Sequence, residues 1–384
     1  YDEDGPIDVD DNEAVMLHVP DGWNTAFEEE ESPSFGYGSY RLRLYVDPGT
    51  EMNYSMQVPS VRSASEVYIN GRLVAGSGEV GTSEETYVPK NVPYTTTVMA
   101  NEVGEIEIVV QAANFQDIRR SGVIRSIKFG SEAAIKKEVN LSLIMQVLAI
   151  GLVAIHAIYA VAIYFLRRRN TRLLYFALFL SCIMLMNLVS SDEKLFHLLF
   201  DISYEWDFRL ANVIGPLAGY ALFRSLDKRL IPYWHIINPI FLSLNIVLGT
   251  LIIFSTPEQV ISYIPVNGIL ASFAIIVTVF VIGRKIYDDM AENMLLLLSF
   301  VAIVHNLFWM MYWRETGISV VHYPFDYLIA IGLFTLIWFK EYFNIHAETK
   351  RQAIELQMIN EHKEQFLANT AHEFKNPLHG MMNM

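Results

Sequence analysis

The stretch LSLIMQVLAIGLVAIHAIYAVAIYFL, residues 141–166, contains no charged side chain. A helix of about 20 apolar residues crosses the roughly 30 Å of hydrocarbon in a bilayer, so this stretch predicts a membrane span. Six more apolar stretches follow it along the chain. They lie at about 172–191, 207–225, 233–255, 261–283, 293–312 and 321–340. The sequence therefore predicts a seven-helix transmembrane bundle over residues 136–343.

Basic residues are unevenly divided among the connections between these stretches. The odd-numbered connections contain Arg167, Arg168, Arg169, Arg172, Arg224, Lys228, Arg229, Arg284 and Lys285, and the even-numbered ones contain Lys194, Arg209 and Arg314. Cytoplasmic loops accumulate Lys and Arg, so the odd-numbered connections are predicted to be cytoplasmic. Seven spans then leave residues 1–140 outside and the chain after Lys340 inside. An exported N-terminal region needs an export signal, and we expect a signal peptide to have preceded Tyr1.

Composition supports a membrane protein with an acidic exterior. Apolar residues make up 52% of the chain, charged residues 18%, and the mean hydropathy is +0.28. The net charge is −14, and residues 1–130 alone hold 22 acidic and 9 basic side chains, a balance of −13. Such an excess argues against nucleic acid as a partner. Cys182 is the single cysteine, so no intrachain disulfide can form.

Residues 1–135 are predicted to form an all-β domain. Apolar and polar residues alternate over 40–46, 56–58 and 105–110, as in half-buried strands. Asn70-Gly71, between two short apolar runs, is a strong hairpin signal. Short strands separated by Gly and Pro at about ten-residue intervals favour a sandwich or jelly roll.

The strings GSYRLR at 38–43, VYING at 67–71 and ANF at 113–115 resemble the galactose-binding-like jelly rolls found on sugar-active enzymes and some bacterial receptors. The resemblance implies a fold, and it leaves open a carbohydrate or another small extracellular ligand. The aromatic residues available to stack on a sugar ring are Trp23, Tyr37, Tyr54, Tyr87 and Tyr94, although packing in the core is the expected use of each. The acidic run Glu28–Glu31 is expected to be a solvated loop, with attraction of a cation as the alternative.

Polar residues inside the predicted spans are candidates for interhelical hydrogen bonds or a buried ligand pocket. They are His156, Asn187, Asn212, Asn238, Asn245, Asn267, His305 and Asn306. Asp326 is the one acid well inside a span, and its place near the outer boundary lets it reach headgroups or water. We expect packing and hydrogen bonding for most of this set, and no metal site is predicted.

The segment FLANTAHEFKNPLHG, residues 366–380, carries the clearest chemical signal. Apolar residues recur at steps of three and four at Leu367, Ala371, Phe374, Leu378 and Met381, a seam suited to a partner helix. His372 lies one position off that seam and is expected to face solvent. Glu373 follows it, Asn376 comes one turn later, and Pro377 removes a helical hydrogen bond, so a bend is expected there. An ordinary polar residue on a coiled coil is the alternative interpretation of His372.

This segment resembles the H-box of bacterial sensor histidine kinases. The resemblance implies that His372 accepts the γ-phosphoryl group of ATP, that Glu373 orients the ring and acts as general base, and that Asn376 positions water for dephosphorylation. Lys375-Asn376 replaces the commoner Arg-Thr, which departs from the pattern at the phosphatase position. A kinase of this type uses ATP and Mg²⁺ in a catalytic domain expected beyond Met384; no cofactor-binding residue is predicted in this chain. The expected protein partner is a response regulator.

The whole arrangement resembles the bacterial seven-transmembrane receptors with diverse intracellular signalling modules. The resemblance implies a multi-pass cell-membrane sensor that works as a homodimer, with residues 344–366 as a signalling helix and 367–384 as the start of the dimerisation and phosphoacceptor domain. A three-four repeat over 345–366 slips by one residue at Phe366–Leu367, which suggests a point where the helix pair can switch between two registers. The alternative is a non-catalytic receptor or carbohydrate-binding protein with a dimerising cytoplasmic helix. A transporter is a weaker alternative, because the spans show no inverted repeat.

Overall fold

The computed structural model describes residues 14–25, 34–47, 53–101, 104–119, 121–166, 170–190 and 193–382. Within these ranges, nothing is said of the side chains at positions 25, 166, 292, 310, 314, 338, 341, 345 and 371–382. The acidic run Glu28–Glu31 and the arginines Arg167, Arg168 and Arg169 lie outside the described residues, so the predictions made for them stay predictions.

Within the described ranges, seven strands form two antiparallel sheets. They are β1 (Gly36–Tyr45), β2 (Tyr54–Val58), β3 (Ala64–Ile69), β4 (Arg72–Ser77), β5 (Tyr94–Val98), β6 (Glu105–Asn114) and β7 (Lys128–Ser131). One sheet has the order β1-β6-β3-β4, and the other has the order β5-β2-β7. Val67, Ile106 and Ile108 from the first sheet share one buried cluster with Met56 and Val58 from the second. The two sheets therefore pack face to face around a common core, as in a sandwich.

The predicted hairpin is confirmed. Ile69 pairs with Arg72 across the turn, and the two residues between them have positive φ, +49° at Asn70 and +80° at Gly71. Left-handed backbone at both positions is what a two-residue hairpin turn requires, and Asn and Gly tolerate it best. The predicted strands at 40–46, 56–58 and 105–110 are confirmed within β1, β2 and β6. Strands β5 and β7 were not predicted, because Tyr-Thr-Thr-Thr-Val and Lys-Phe-Gly-Ser lack a clear apolar alternation.

The strands lead directly into a set of helices. These are α1 (Glu132–Leu166), α2 (Thr171–Ser190), the short α3 (Phe196–Leu199), α4 (Tyr204–Ser225), α5 (Trp234–Phe254), α6 (Pro257–Asp288), α7 (Met290–Thr316) and α8 (Phe325–Met382). Among the described residues, six helices are long and apolar enough to cross a membrane: α1, α2, α5, α6, α7 and α8. The chain is consistent with a multi-pass membrane protein.

Helix α4 covers the third predicted span but is not among those six. It packs against α2, α5 and α6, so much of its surface meets protein and not lipid. At one end of the bundle Arg209 Nε donates to the Ser255 carbonyl just after α5, and at the other Arg224 Nη1 donates to Asn238 near the start of α5. Helix α4 therefore runs the length of α5, antiparallel to it. Its position among other helices explains how it accommodates residues less apolar than those of its neighbours.

By its internal contacts the chain divides into two compact units. The first is Tyr1–Ile331, which contains the β domain and the helices up to the first turns of α8, and the second is Gly332–Met384. The β domain and the bundle consequently share one unit, and the contacts between them belong to it.

Candidate functional site

The predicted phosphoacceptor residues lie in the last part of α8. The backbone is helical through His372, Glu373 and Asn376, and the helix ends only at Met382. Positions 372 and 376 are four apart and so share a helix face. Pro377, where a bend is expected, does not terminate the helix. The side chains of these residues lie outside the description, so their predicted roles stay predictions.

The helix preceding this segment presents apolar side chains to solvent. Leu356 is 64% exposed, and Ile359, Phe366 and Leu367 are exposed to a similar degree. Leu356, Ile359 and Phe366 belong to the repeat noted in the sequence. Exposed apolar side chains at helical spacing are the surface that a second helix covers in a coiled coil.

A buried ionic cluster lies where the β domain meets the bundle. The Asp117 carboxylate, just after β6, is 1% exposed. Arg119 donates to both of its oxygens, from Nε at 2.9 Å and from Nη2 at 2.5 Å, and Arg62 Nη1 donates to Oδ1 at 3.4 Å. The Tyr204 hydroxyl, on the first residue of α4, donates to Oδ2 at 3.2 Å. We refer to Arg62, Asp117, Arg119 and Tyr204 as the joint.

The electrostatics of the joint keep Asp117 ionised. Burial is the largest single influence and opposes ionisation, but the hydrogen bonds and charges of Arg119 and Arg62 outweigh it and lower the pKa of Asp117 to about 2. Burial and the neighbouring Arg119 charge lower the pKa of Arg62 to about 10, so that guanidinium remains charged at neutral pH. A buried carboxylate with two guanidinium partners is a fully compensated charge.

Local sequence explains why α4 begins at this point. Ser203 has extended backbone, and its hydroxyl accepts a hydrogen bond from the Trp206 amide, so it caps the helix. Glu205 and Asp207 lie in the first turn, where negative charge is favourable. Tyr204 and Phe208, one turn apart, therefore face the same way. The ring of Phe208 lies under the Arg119 guanidinium, 5.0 Å from ring centroid to Cζ.

A second ionic cluster lies on another face of the same two turns. Lys194 Nζ donates to Asp207 Oδ2 at 2.9 Å, and His197 Nε2 lies 3.2 Å from Asp207 Oδ1. The His197 side chain is 6% exposed. Lys194 precedes α3 and His197 belongs to it, so this cluster ties the connection between α2 and α4 to the start of α4.

Other contacts hold the β domain against the same end of the bundle. Arg125 Nη1 donates to the Trp313 carbonyl at 2.9 Å. The Ser126 amide donates to the Gly317 carbonyl, and the Ser126 hydroxyl accepts from the Ser319 amide. Lys90 forms an ion pair with Asp201 whose carboxylate is 92% exposed. The domain thus contacts the second and the sixth connections of the bundle.

The polar residues predicted inside the spans mostly hydrogen-bond to helix backbone or to each other. Asn187 donates to the Ile183 carbonyl and lies 3.5 Å from the Tyr327 hydroxyl, and His305 Nδ1 lies 3.2 Å from Asp326 Oδ1. The remaining pairs are His156 with the Leu152 carbonyl, Asn212 with the Phe208 carbonyl, Asn238 with Arg224, Asn245 with the Phe241 carbonyl, Asn267 with the Asn212 carbonyl, and Asn306 with His322. In the part of the chain that is described, no group of three or more His, Cys, Asp or Glu residues is placed to hold a metal ion.

Most of the aromatic residues considered for sugar stacking pack in the β domain. Trp23, Tyr54 and Tyr94 pack against the main core, and Tyr87 is buried with Ala64 and Ala113. Tyr37 is 54% exposed and borders a shallow cleft of about 190 Å³ that Trp23 and Tyr40 also line. Core packing, the use expected for these residues, is confirmed for Trp23, Tyr54, Tyr87 and Tyr94.

Sequence reasoning missed the joint. Asp117 and Arg119, two apart just after β6, are a weak local signal for a carboxylate that binds a nearby guanidinium. Arg62 and Tyr204 lie 55 and 87 positions from Asp117 along the chain, and no local pattern links them to it.

No protein-family model matches the chain, and no curated protein matches it. Among solved structures it is similar to a glycosyl hydrolase family 2 member from Bacteroides cellulosilyticus, with a TM-score of 0.27 and 17% identity over 34% of this chain and 18% of that one. A β-glucuronidase from Ruminococcus gnavus gives 0.24 and 14% over 30% and 22%, and β-glucuronidase 2 from Bacteroides uniformis gives 0.25 and 20% over 32% and 15%. The chain thus matches about a fifth of the length of those enzymes, and likenesses at these TM-scores carry no argument about this protein.

Proposed function

We propose that this chain is the sensor and phosphoacceptor part of a membrane histidine kinase, with His372 as the residue phosphorylated. In this proposal an exported jelly-roll domain senses an extracellular or membrane-borne cue, seven helices cross the membrane, and the helix after them carries the phosphoacceptor. The phosphoryl group then passes to an aspartate of a response regulator. Glu373 orients the His372 ring and takes its proton, and Asn376 positions water for the reverse reaction.

The observation that carries the proposal is the extent of α8. One helix begins with an apolar segment of membrane-spanning character and includes the H-box-like segment 366–380. A signal that displaces the membrane-embedded part of a helix is transmitted along its hydrogen-bonded backbone, so no separate connector is needed. The phosphoacceptor would lie on the same element that leaves the membrane.

The arrangement of α4 supports seven spans and the proposed topology. Helix α4 runs from the end that contacts the β domain to the opposite end, where Arg224 stacks on Tyr175 near the start of α2. It therefore extends as far along the bundle as α2 and α5 do. The second and sixth connections, which the charge bias places outside the cell membrane, are those that the β domain contacts. With the β domain outside, seven crossings put the chain after Lys340 in the cytoplasm, where ATP is available.

Exposed apolar side chains on α8 support a homodimer. Leu356, Ile359 and Phe366 repeat at steps of three and seven and have no covering partner surface within the described second unit. A second copy of the same helix would cover them in a parallel pair. ATP and Mg²⁺ are the proposed cofactors of the kinase domain with which this helix would work.

The test is phosphorylation of the full chain in membranes by a separately supplied kinase catalytic domain of this class. We expect acid-labile label on the wild-type chain and at least a tenfold loss in His372→Gln. His362→Gln is the matched control, because His362 lies on the same helix ten residues earlier and is not the proposed acceptor. Equal labelling of wild type and His372→Gln would reject the acceptor assignment.

The alternative is a non-catalytic receptor whose exported domain binds a carbohydrate or another small ligand. The cleft bordered by Tyr37, Trp23 and Tyr40 is the observation that favours a ligand there. A chain without phosphoacceptor function would give no acid-labile label in any variant. Quenching of tryptophan fluorescence by an added saccharide, lost in Tyr37→Ala, would then be its expected signature.

A further inference from the structure

The first two turns of α4 are bonded to three other parts of the chain. Tyr204 bonds the β domain through Asp117, Asp207 bonds the connection from α2 through Lys194, and Arg209 bonds the connection from α5 through the Ser255 carbonyl. The three residues fall within the first two turns. A displacement of the β domain at Asp117 would therefore act directly on α4.

Further along the chain, the backbone hydrogen bonding of α4 is interrupted at Pro216. Pro216 has no amide hydrogen, so the Asn212 carbonyl four residues earlier loses its helical donor. Asn267 Nδ2 of α6 supplies a replacement at 3.2 Å. Gly215 makes room for it, since a Cβ at that position would lie 3.1 Å from Asn267 Nδ2.

This interruption separates α4 into two parts with different attachments. The outer part, up to Gly215, contains Tyr204 of the joint and Asp207 of the second ionic cluster. The inner part ends at Arg224, which lies against the rings of Tyr175 and Trp234. Helices bend at proline more readily than elsewhere. A change in bending at Pro216 would shift the Asn212 carbonyl, and Asn267 of α6 is bonded to that carbonyl.

The geometry points to α4 as the helix through which the β domain acts on the bundle. The joint sets the position of the outer part of α4, and the break at Pro216 lets that part move relative to the inner part. This inference deepens the proposed receptor function by naming the helix that receives the signal. It depends on contacts within the first compact unit and makes no use of phosphoryl chemistry.

The chain contains a native reporter for this movement. Cys182, on α2, is the single cysteine and is buried. Its cluster includes Ile214 of α4, and Leu210 and Ala211 of the same part of α4 pack against it, together with Ala218 from beyond Pro216. Access to the Cys182 thiol therefore depends on how closely the outer part of α4 lies against α2.

The experiment measures the rate at which N-ethylmaleimide, a membrane-permeant reagent, labels Cys182 in the full chain reconstituted in a bilayer. Tyr204→Phe removes only the hydroxyl that reaches Asp117, and we expect labelling at least fivefold faster than in wild type. Lys90→Ala is the matched control: it removes the exposed contact to Asp201, which lies outside α4, and should change the rate less than twofold.

Two results would overturn the inference. One is an unchanged rate in Tyr204→Phe, and the other is an equal acceleration in Tyr204→Phe and Lys90→Ala, which would mean general undocking of the domain. Should Tyr204→Phe fail to fold, Phe208→Leu removes the ring under Arg119 and must give the same acceleration. Loss of label in the His372→Gln experiment, or its absence in all variants, leaves the maleimide result unaffected, so the two proposals fail separately.

Discussion

The N-terminal end of α4 and the distal half of α8 are both helical segments rich in polar residues, yet their side chains are used in opposite ways. At this end of α4 buried charges bond within the chain: Asp207 bonds Lys194, and Tyr204 bonds Asp117 of the β domain, which Arg119 also binds. At α8 the apolar groups are the exposed ones, with Leu356, Ile359 and Phe366 facing solvent. Compensated buried charge indicates an interface complete within one copy, whereas uncovered apolar surface indicates one that a partner completes.

The largest expected effect tests the self-contained side of this comparison. Asp117→Ala leaves Arg62 and Arg119 without their carboxylate in a buried site, and we expect a loss of about 3 kcal/mol in the free energy of unfolding. Thermal unfolding of the full chain in detergent micelles measures it as a lower Tm. Asp201→Ala removes an exposed partner of Lys90 and should cost less than about 1 kcal/mol. Similar losses in the two variants would show that burial adds nothing at the joint.

A pH series sharpens the same point. The pKa of Asp117 is about 2 in the folded chain against 3.8 as its ordinary value, so its ionisation stabilises the fold above pH 3.8, and this contribution is lost as the pH falls towards 2. This difference in pKa corresponds to a contribution of about 2 kcal/mol to the free energy of unfolding. We expect the Tm gap between wild type and Asp117→Asn to be constant from pH 7 to 5 and to shrink between pH 4 and 2. A gap that stays constant down to pH 2 would contradict an ionised Asp117.

The smallest expected effect concerns the side that a partner completes. Leu356→Asp places a charge on the proposed dimer seam, and we expect self-association to weaken at least tenfold, or about 1.4 kcal/mol. Analytical ultracentrifugation of the full chain in detergent measures the dimer fraction. Ile354 is also exposed but lies off the seam, about 200° around the helix from Leu356, so Ile354→Asp should leave the dimer intact. Equal weakening by both substitutions would argue against a defined seam.

Part of the fold could be predicted from local patterns. Period-two alternation located β1, β2 and β6, and Asn70-Gly71 located the hairpin, since each signal depends on neighbours within a few residues. Apolar length located the helices of the bundle in the same way. The third predicted span also coincides with a helix, α4, but α4 is not among the six helices apolar enough to cross a membrane, and its composition reflects its contacts with α2, α5 and α6.

The candidate sites differ in the same way: one was predicted from a local pattern, and the other depends on residues distant in the chain. His372, Glu373 and Asn376 were proposed from their spacing along about one helical turn, and the structure adds a helical backbone there. The joint could not be found in this way, because Arg62, Asp117 and Tyr204 come from separate parts of the chain.

The amino-acid sequence alone determined that the chain has a β-rich N-terminal part, long apolar helices and a histidine-bearing helical end, because alternation, apolar length and helical spacing act between near neighbours. Only the tertiary structure decided that a buried aspartate would join the β domain to α4 and that an asparagine of α6 would bond to the carbonyl freed by Pro216. Burial of a charge or of an unpaired carbonyl is tolerated only where distant parts of the chain bring compensating groups to it.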